Sequence, residues 1–132
     1  ALLPDLTALE NVVLPLLMQN FDRKHAYHKA TEALAKIGLE HRLHNLPSQL
    51  SGGEQQRVSI ARAVAHDPKV LFADEPTANL DNESSEKIMN IFQELHKNGQ
   101  TIIMVTHEEQ YAKLAQKIVK FDDGNITSVV VA

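Results

Sequence analysis

Cysteine is missing from all 132 residues. The chain therefore has no disulfide framework, which fits a reducing compartment such as the cytosol. It also lacks any apolar run approaching the roughly 18 residues that a membrane span needs; the stretch from Val12 to Met18 carries Pro15 and stops early. No cationic surplus exists either. The net charge is −4, so no broad basic surface argues for nucleic acid. No secretory leader opens the chain, and no internal repeat or low-complexity tract interrupts it. Ala1-Leu2-Leu3-Pro4 begins inside an apolar stretch without an initiator methionine, which reads as a piece of a longer product.

What is present is ordinary for a globular domain: 43% hydrophobic and 23% charged residues, at a length sufficient for a core. The first half reads helical. Thr7-Ala8-Leu9-Glu10 is a capping box, and Leu9, Val12, Val13, Leu16 and Leu17 follow at helical spacing. Pro15 is expected to kink or end that helix. Asp22 caps a second helix with Ala26, Ala30, Ala33, Leu34 and Ile37 inward, closed by Gly38. A connector over residues 39–47 leads to Ser51 and a third helix reaching about His66, where Asp67-Pro68 stops it.

The second half changes character. Residues 70–73 and 101–105 are short, continuously apolar runs, suited to parallel strands buried on both faces. Asp81 caps an intervening helix with Ile88, Ile91, Phe92 and Leu95 inward, which completes a βαβ unit. A short helix follows Thr106. Residues 118–121 and 126–131, joined through Asp122-Asp123-Gly124-Asn125, read as a hairpin.

Three places carry chemistry. Ser51-Gly52-Gly53 opens a helix, where backbone N–H groups and the helix dipole favour an anion by about 0.3–2 kcal/mol; alone it is as readily a plain capped turn. Asp74-Glu75 ends the first apolar strand, where open α/β sheets place their ligands. One carboxylate there suits Mg²⁺, usually through water, and its neighbour suits orienting or deprotonating an attacking water. His107, after the second strand, is expected alongside Glu75 and able to donate toward a phosphate or that water. His25/His28 and His41/His44 have the spacing of metal ligands, but no cysteine or carboxylate cluster supports them, and they read as solvated surface. No G-x-x-x-x-G-K-[ST] loop occurs in the chain.

Leu50-Ser51-Gly52-Gly53-Glu54-Gln55, the Val70–Glu75 run, Ala78-Asn79-Leu80-Asp81 and His107 together resemble the nucleotide-binding domain of ATP-binding cassette (ABC) transporters, over essentially the whole chain. They look like the family's signature, Walker B strand with catalytic glutamate, D-loop and switch histidine. Leu3 to Val12, Ser51 to Arg57 and Asp74 to Thr77 are similar to the branch of lipoprotein-releasing, macrolide-exporting and antimicrobial-peptide-exporting ATPases. Ala78 and Ser59 depart from that branch's usual glycine and alanine.

The resemblance implies an α/β chain with a partial P-loop NTPase (ABC ATPase) fold. Residues 1–50 would form the helical subdomain, 51–68 the signature helix, and 69–132 the C-terminal part of a RecA-like core, without the Walker A lobe. It implies ATP and Mg²⁺ as cofactors in the intact protein. A second ATP-binding domain would pair head to tail, and a transmembrane permease subunit would dock near the helical half. Ser51, Gly52, Gly53 and Gln55 would act in trans on the partner's nucleotide. Asp74 would help hold the metal, Glu75 polarise water, His107 hold the γ-phosphate and Asp81 link the two sites. Such an ATPase subunit, of exporter type, would lie in the cytoplasm against the inner face of the cell membrane. Without the lysine loop the 132 residues alone are expected to be inactive. Two other readings are a non-catalytic docking or regulatory module, and an ABC ATPase without transport; the second tends to show a long coiled coil or tandem cassettes, and neither is present.

Overall fold

The computed structural model describes residues 1–132. Its first layer is helical. Helix α1, Ala8–Met18, starts at the expected capping box: the Glu10 N–H donates to Thr7 Oγ1 at 3.2 Å, and the Thr7 N–H donates to Glu10 Oε2 at 2.8 Å. Pro15 does not end it. Proline forfeits one helical hydrogen bond, yet α1 runs on to Met18, held by Val12, Val13 and Leu16 in the core. Leu17, expected inward, is exposed; at 100° per residue it falls beyond the Leu9–Val13–Leu16 stripe.

Helix α2, Arg23–Lys36, is capped by Asp22, whose Oδ1 accepts the His25 N–H at 3.0 Å. It buries Ala26, Ala30, Ala33 and Leu34, with Ile37 just beyond its end. Gly38 turns the chain out of it at φ +75°. A 3₁₀ turn, Pro47–Gln49, precedes α3, Gly52–Val64. That helix ends at Val64 rather than near His66, and Asp67 breaks away at φ +55°.

Strand β1, Val70–Asp74, helix α4, Asn82–Lys97, and strand β2, Thr101–Val105, form the βαβ unit. The strands pair in parallel, with Phe72 opposite Ile103 and Asp74 opposite Val105. After a short helix α5, Glu109–Ala112, strands β3, Lys117–Asp122, and β4, Asn125–Val131, make a separate antiparallel hairpin. Asp123 and Gly124 take φ +46° and +77° at its tip, as a two-residue hairpin turn requires.

Two cores result. The larger joins α1, α2 and α3 through Leu16, Leu34, Leu39, Val58 and Ala61. The smaller gathers Ile60, Leu71, Ile88, Met89 and Phe92, so α3 presents one face to each. Fully burying a side chain such as Leu34 or Ile88 stabilises by roughly 1.5–3 kcal/mol. The expectation of strands buried on both faces does not hold. Leu71, Ala73, Ile102 and Met104 pack with α4, but the opposite face is bare, with Phe72 73% exposed beside Ile103 and Val105. The elements of this chain cover one side of the pair only. No helix is long and apolar enough to cross a membrane.

Candidate functional site

The parallel pairing brings two turns together at the C-terminal end of the strands. Beyond Asp74, the Glu75 N–H donates to the Val105 carbonyl at 2.8 Å. Glu75 then enters the left-handed region at φ +45°, a conformation that costs a non-glycine residue about 1–3 kcal/mol and gathers at functional sites. The reversal is closed by the Ala78 N–H donating to the Glu75 carbonyl at 3.1 Å. On the neighbouring turn, His107 Nδ1 sits 2.9 Å from Glu75 Oε1. The hydrogen bond from Glu75, and then its negative charge, hold the His107 pKa above its ordinary value, with Glu108 adding to the effect. The His107 side chain is 80% exposed, so its other ring nitrogen faces outward.

Glu75 Oε2 is buried and has no hydrogen-bond partner. Buried carboxylate oxygens are rarely left so. Asp74 ends β1 and is exposed. No three His, Asp or Glu side chains group into a metal cage. Mg²⁺ does not need one: it keeps several waters and takes one or two carboxylates plus substrate phosphates. Asp74 beside Glu75 fits that donor set.

The glycine-led helix is divided in use. Ser51 Oγ accepts the Glu54 N–H at 3.1 Å, and Glu54 Oε2 accepts the Ser51 N–H at 2.9 Å. Glu54 is also met by Arg42 Nε at 3.2 Å. The Ser51 N–H above all draws the Glu54 pKa below its usual value; burial opposes it, and the Arg42 charge adds a lesser downward pull. Gly52 is exposed, whereas Gly53 is buried. A Cβ on Gly53 would meet Ser84 Oγ at 2.9 Å; one on Gly52 would meet only Leu80 Cδ2 at 3.4 Å. Gln55 turns its amide back to donate to the Pro47 and Leu50 carbonyls at 2.9 and 3.3 Å.

Two open clefts flank this helix. One, of ≈ 470 Å³, is lined by Gly52, Gln55, Ser59, Ala78 and Asn79 among others, so both departures from the branch pattern share it. The other, of ≈ 190 Å³, is lined by Ser51, Gly53, Glu54, Arg57, Ser84 and Lys87. Asp74, Glu75 and His107 line neither. The two clefts beside the helix and the Glu75–His107 pair thus share no residue. Asp81 caps α4, accepting the Ser84 N–H at 2.7 Å, and that bond holds its pKa low. His25, His28, His41 and His44 are all exposed; His25 and His28 lie 3.9 Å from Asp22 and 3.6 Å from Glu32.

Residue-level reading passed over several participants. Ser51-x-x-Glu54 has the same capping-box spacing as Thr7-x-x-Glu10 and was legible on that ground. Thr77 and Glu108, which join the two turns at 2.6 Å, carry no local signal, being 31 residues apart.

Comparison with known proteins decides the family. The family model described as ABC transporter matches residues 1–78, more than half of the chain. The chain belongs to the ABC transporter family. It is 44% identical over 129 residues to the lipoprotein-releasing system ATP-binding protein LolD of Aquifex aeolicus, covering 98% of this chain and 58% of that protein. It is 46% identical over 125 residues to the macrolide export ATP-binding/permease protein MacB of Escherichia coli, covering 95% and 19%. The chain therefore spans little more than half the length of ABC relatives such as LolD. Among solved structures it resembles the ATP-binding cassette MJ0796, a dimer in a post-hydrolysis state bound to ADP and Pi, with a TM-score of 0.84 and 39% identity over 98% of this chain and 58% of that one. That match gives the fold as a partial ABC ATPase fold.

Proposed function

We propose that this chain is part of the ATP-binding subunit of an exporter-type ABC transporter, and that its two strand-end turns form the metal-and-water side of an ATP hydrolysis site. The observation that carries the reading is the 2.9 Å contact between His107 Nδ1 and Glu75 Oε1, with the second oxygen of the same carboxylate buried and unpartnered. His107 fixes the carboxylate through Oε1. The carboxylate so held orients an attacking water and accepts its proton. The raised His107 pKa favours the imidazolium, whose outward N–H donates to an anion such as a terminal phosphate. Mg²⁺, when bound with nucleotide, supplies charge neutralisation for the phosphates. Asp74 holds it.

Ser51, Gly52, Gly53 and Gln55 belong, on this reading, to a second nucleotide site completed by a partner domain. Their place beside clefts that Glu75 and His107 do not line supports it, and so does the dimeric state named for MJ0796. On this reading their parts are unequal. Gly52 offers an approachable backbone, while Ser51 and Gln55 are tied into the helix start and Gly53 serves the packing of α3 on α4. Asp81 holds the turn between the sites. The regions 1–50, 51–68 and 69–132 correspond to helical subdomain, signature helix and the C-terminal part of the RecA-like core. The permease partner would sit in the membrane and this chain against its cytoplasmic face.

In the full-length cassette, Glu75→Gln should lower ATP turnover by roughly 10²–10⁴ while leaving MgATP binding in place; a change under about threefold removes Glu75 from the role. Calorimetry on the 132-residue chain should show no micromolar affinity for MgATP, because the backbone cradle and lysine that grip the β- and γ-phosphates in P-loop enzymes are not among its residues.

A further inference from the structure

We infer that Thr77 and Glu108 form a latch that positions His107 on Glu75, so that these two residues set the geometry of the hydrolytic pair without touching the substrate. The inference rests on the reading of Glu75 and His107 given above. The backbone ladder between the strands ends with the Glu75 N–H on the Val105 carbonyl. Past that point the turns diverge, and two side-chain bonds cross between them: His107 to Glu75 at 2.9 Å, and the Thr77 hydroxyl donating to Glu108 Oε1 at 2.6 Å. The first is exposed on the histidine side and open to water. The second is sheltered, since Thr77 is 3% exposed.

Each partner of the sheltered bond is committed to it. A buried hydroxyl must find an acceptor, and a hydroxyl donating to a carboxylate is among the shorter and stronger hydrogen bonds. Glu108 stands at the N-cap of α5, where an acidic side chain ordinarily accepts a helix N–H. It makes no such bond, and its carboxylate reaches back to Thr77 instead. The Glu108 N–H donates to Thr106 Oγ1 at 3.1 Å, and Gln110 Nε2 donates to Glu108 Oε2 at 3.3 Å. These contacts fix the residues on both sides of His107. Thr77 in turn lies two positions after Glu75, and the Leu80 N–H donates to its carbonyl at 3.2 Å. The latch therefore ties the reversal bearing the carboxylate to the loop bearing the imidazole.

The test compares Thr77→Val, Thr77→Ser and Glu108→Ala in the full-length cassette. Valine keeps the shape and removes the donor, serine restores it, and alanine at Glu108 removes the acceptor from a half-buried position. The ring ¹⁵N shifts of His107, read above its titration midpoint, report which nitrogen carries the proton, and that is set by the bond to Glu75. With the latch intact the proton stays on Nδ1. Thr77→Val and Glu108→Ala should release it to the other nitrogen and lower kcat by about 10- to 100-fold with KM within about twofold. Thr77→Ser should match the parent in both. Unchanged ring shifts and turnover in the valine and alanine variants would sink the idea, and Glu108→Ala decides it alone if the valine variant fails to fold. The underlying reading fails separately: there, Glu75→Gln would leave turnover intact whatever the ring shifts show.

Discussion

Gly53 lies against Ser84 so closely that a Cβ on the glycine would stand 2.9 Å from the serine hydroxyl oxygen and 3.0 Å from its Cβ. The first turns of α3 and α4 meet at that point. Gly53→Ala forces Ser84 or the whole of α4 outward, and overpacking of this kind costs about 1–3 kcal/mol. Alanine's helix propensity returns up to about 1 kcal/mol. The balance is a net loss of roughly 0–2 kcal/mol. Gly52→Ala meets only the flexible end of Leu80 at 3.4 Å and should change stability by less than about 1 kcal/mol. Urea denaturation of both variants checks the contrast. Equal effects would mean that the glycine pair serves a common purpose rather than two.

Asn11 supports a second, independent expectation. It is 1% exposed, and its side-chain nitrogen donates to the carbonyls of Leu3, Leu6 and Thr7 at 3.0–3.1 Å. Its Oδ1 accepts the Leu3 N–H at 2.8 Å. One amide therefore ties the chain ahead of α1 to the helix. Asn11→Ala leaves the Leu3 N–H and the Leu6 carbonyl without these partners, while the Leu3 and Thr7 carbonyls keep the Leu6 and Asn11 N–H groups. With each net hydrogen bond contributing about 1 kcal/mol and orphaned groups costing more, the loss should reach about 2–4 kcal/mol. Thermal unfolding measures it, and a loss below about 1 kcal/mol would show that water replaces the amide at no cost.

These two residues also mark where sequence reasoning reaches and where it stops. Thr7 with Glu10, Asp22 and Gly38 act on neighbours within a few positions, so caps and turns could be read directly. The meeting of Glu75 with His107 was legible too, because a parallel βαβ unit brings both strand ends to one edge. Gly53 looked like its neighbour until α4 approached it. Leu17 followed helical spacing but fell off the edge of the buried stripe, and Phe72 sat in a continuously apolar run whose second face nothing in this chain covers. The Thr77–Glu108 bond belongs to the same class: it exists only once two distant turns are side by side.

The contact between His107 and Glu75 makes the cassette's stability depend on pH in a definite sense. The folded pKa of His107 is raised, first by the hydrogen bond with Glu75, then by the charges of Glu75 and Glu108. The folded state therefore holds the proton more tightly than the unfolded chain. The stabilisation is fully present below the unfolded value near 6.5 and is lost as pH rises through the folded one. Titrating the His107 ring proton by NMR should place its midpoint above the ordinary imidazole value of 6.5, the reference here. In Glu75→Gln the midpoint should fall back toward the reference, because the glutamine oxygen accepts the bond but carries no charge, leaving only Glu108 nearby. The slope of stability against pH above 6.5 should flatten with it. A midpoint unmoved by the substitution would mean that the imidazole and the carboxylate do not meet in solution, and the proposed hydrolytic pair would lose its geometric basis.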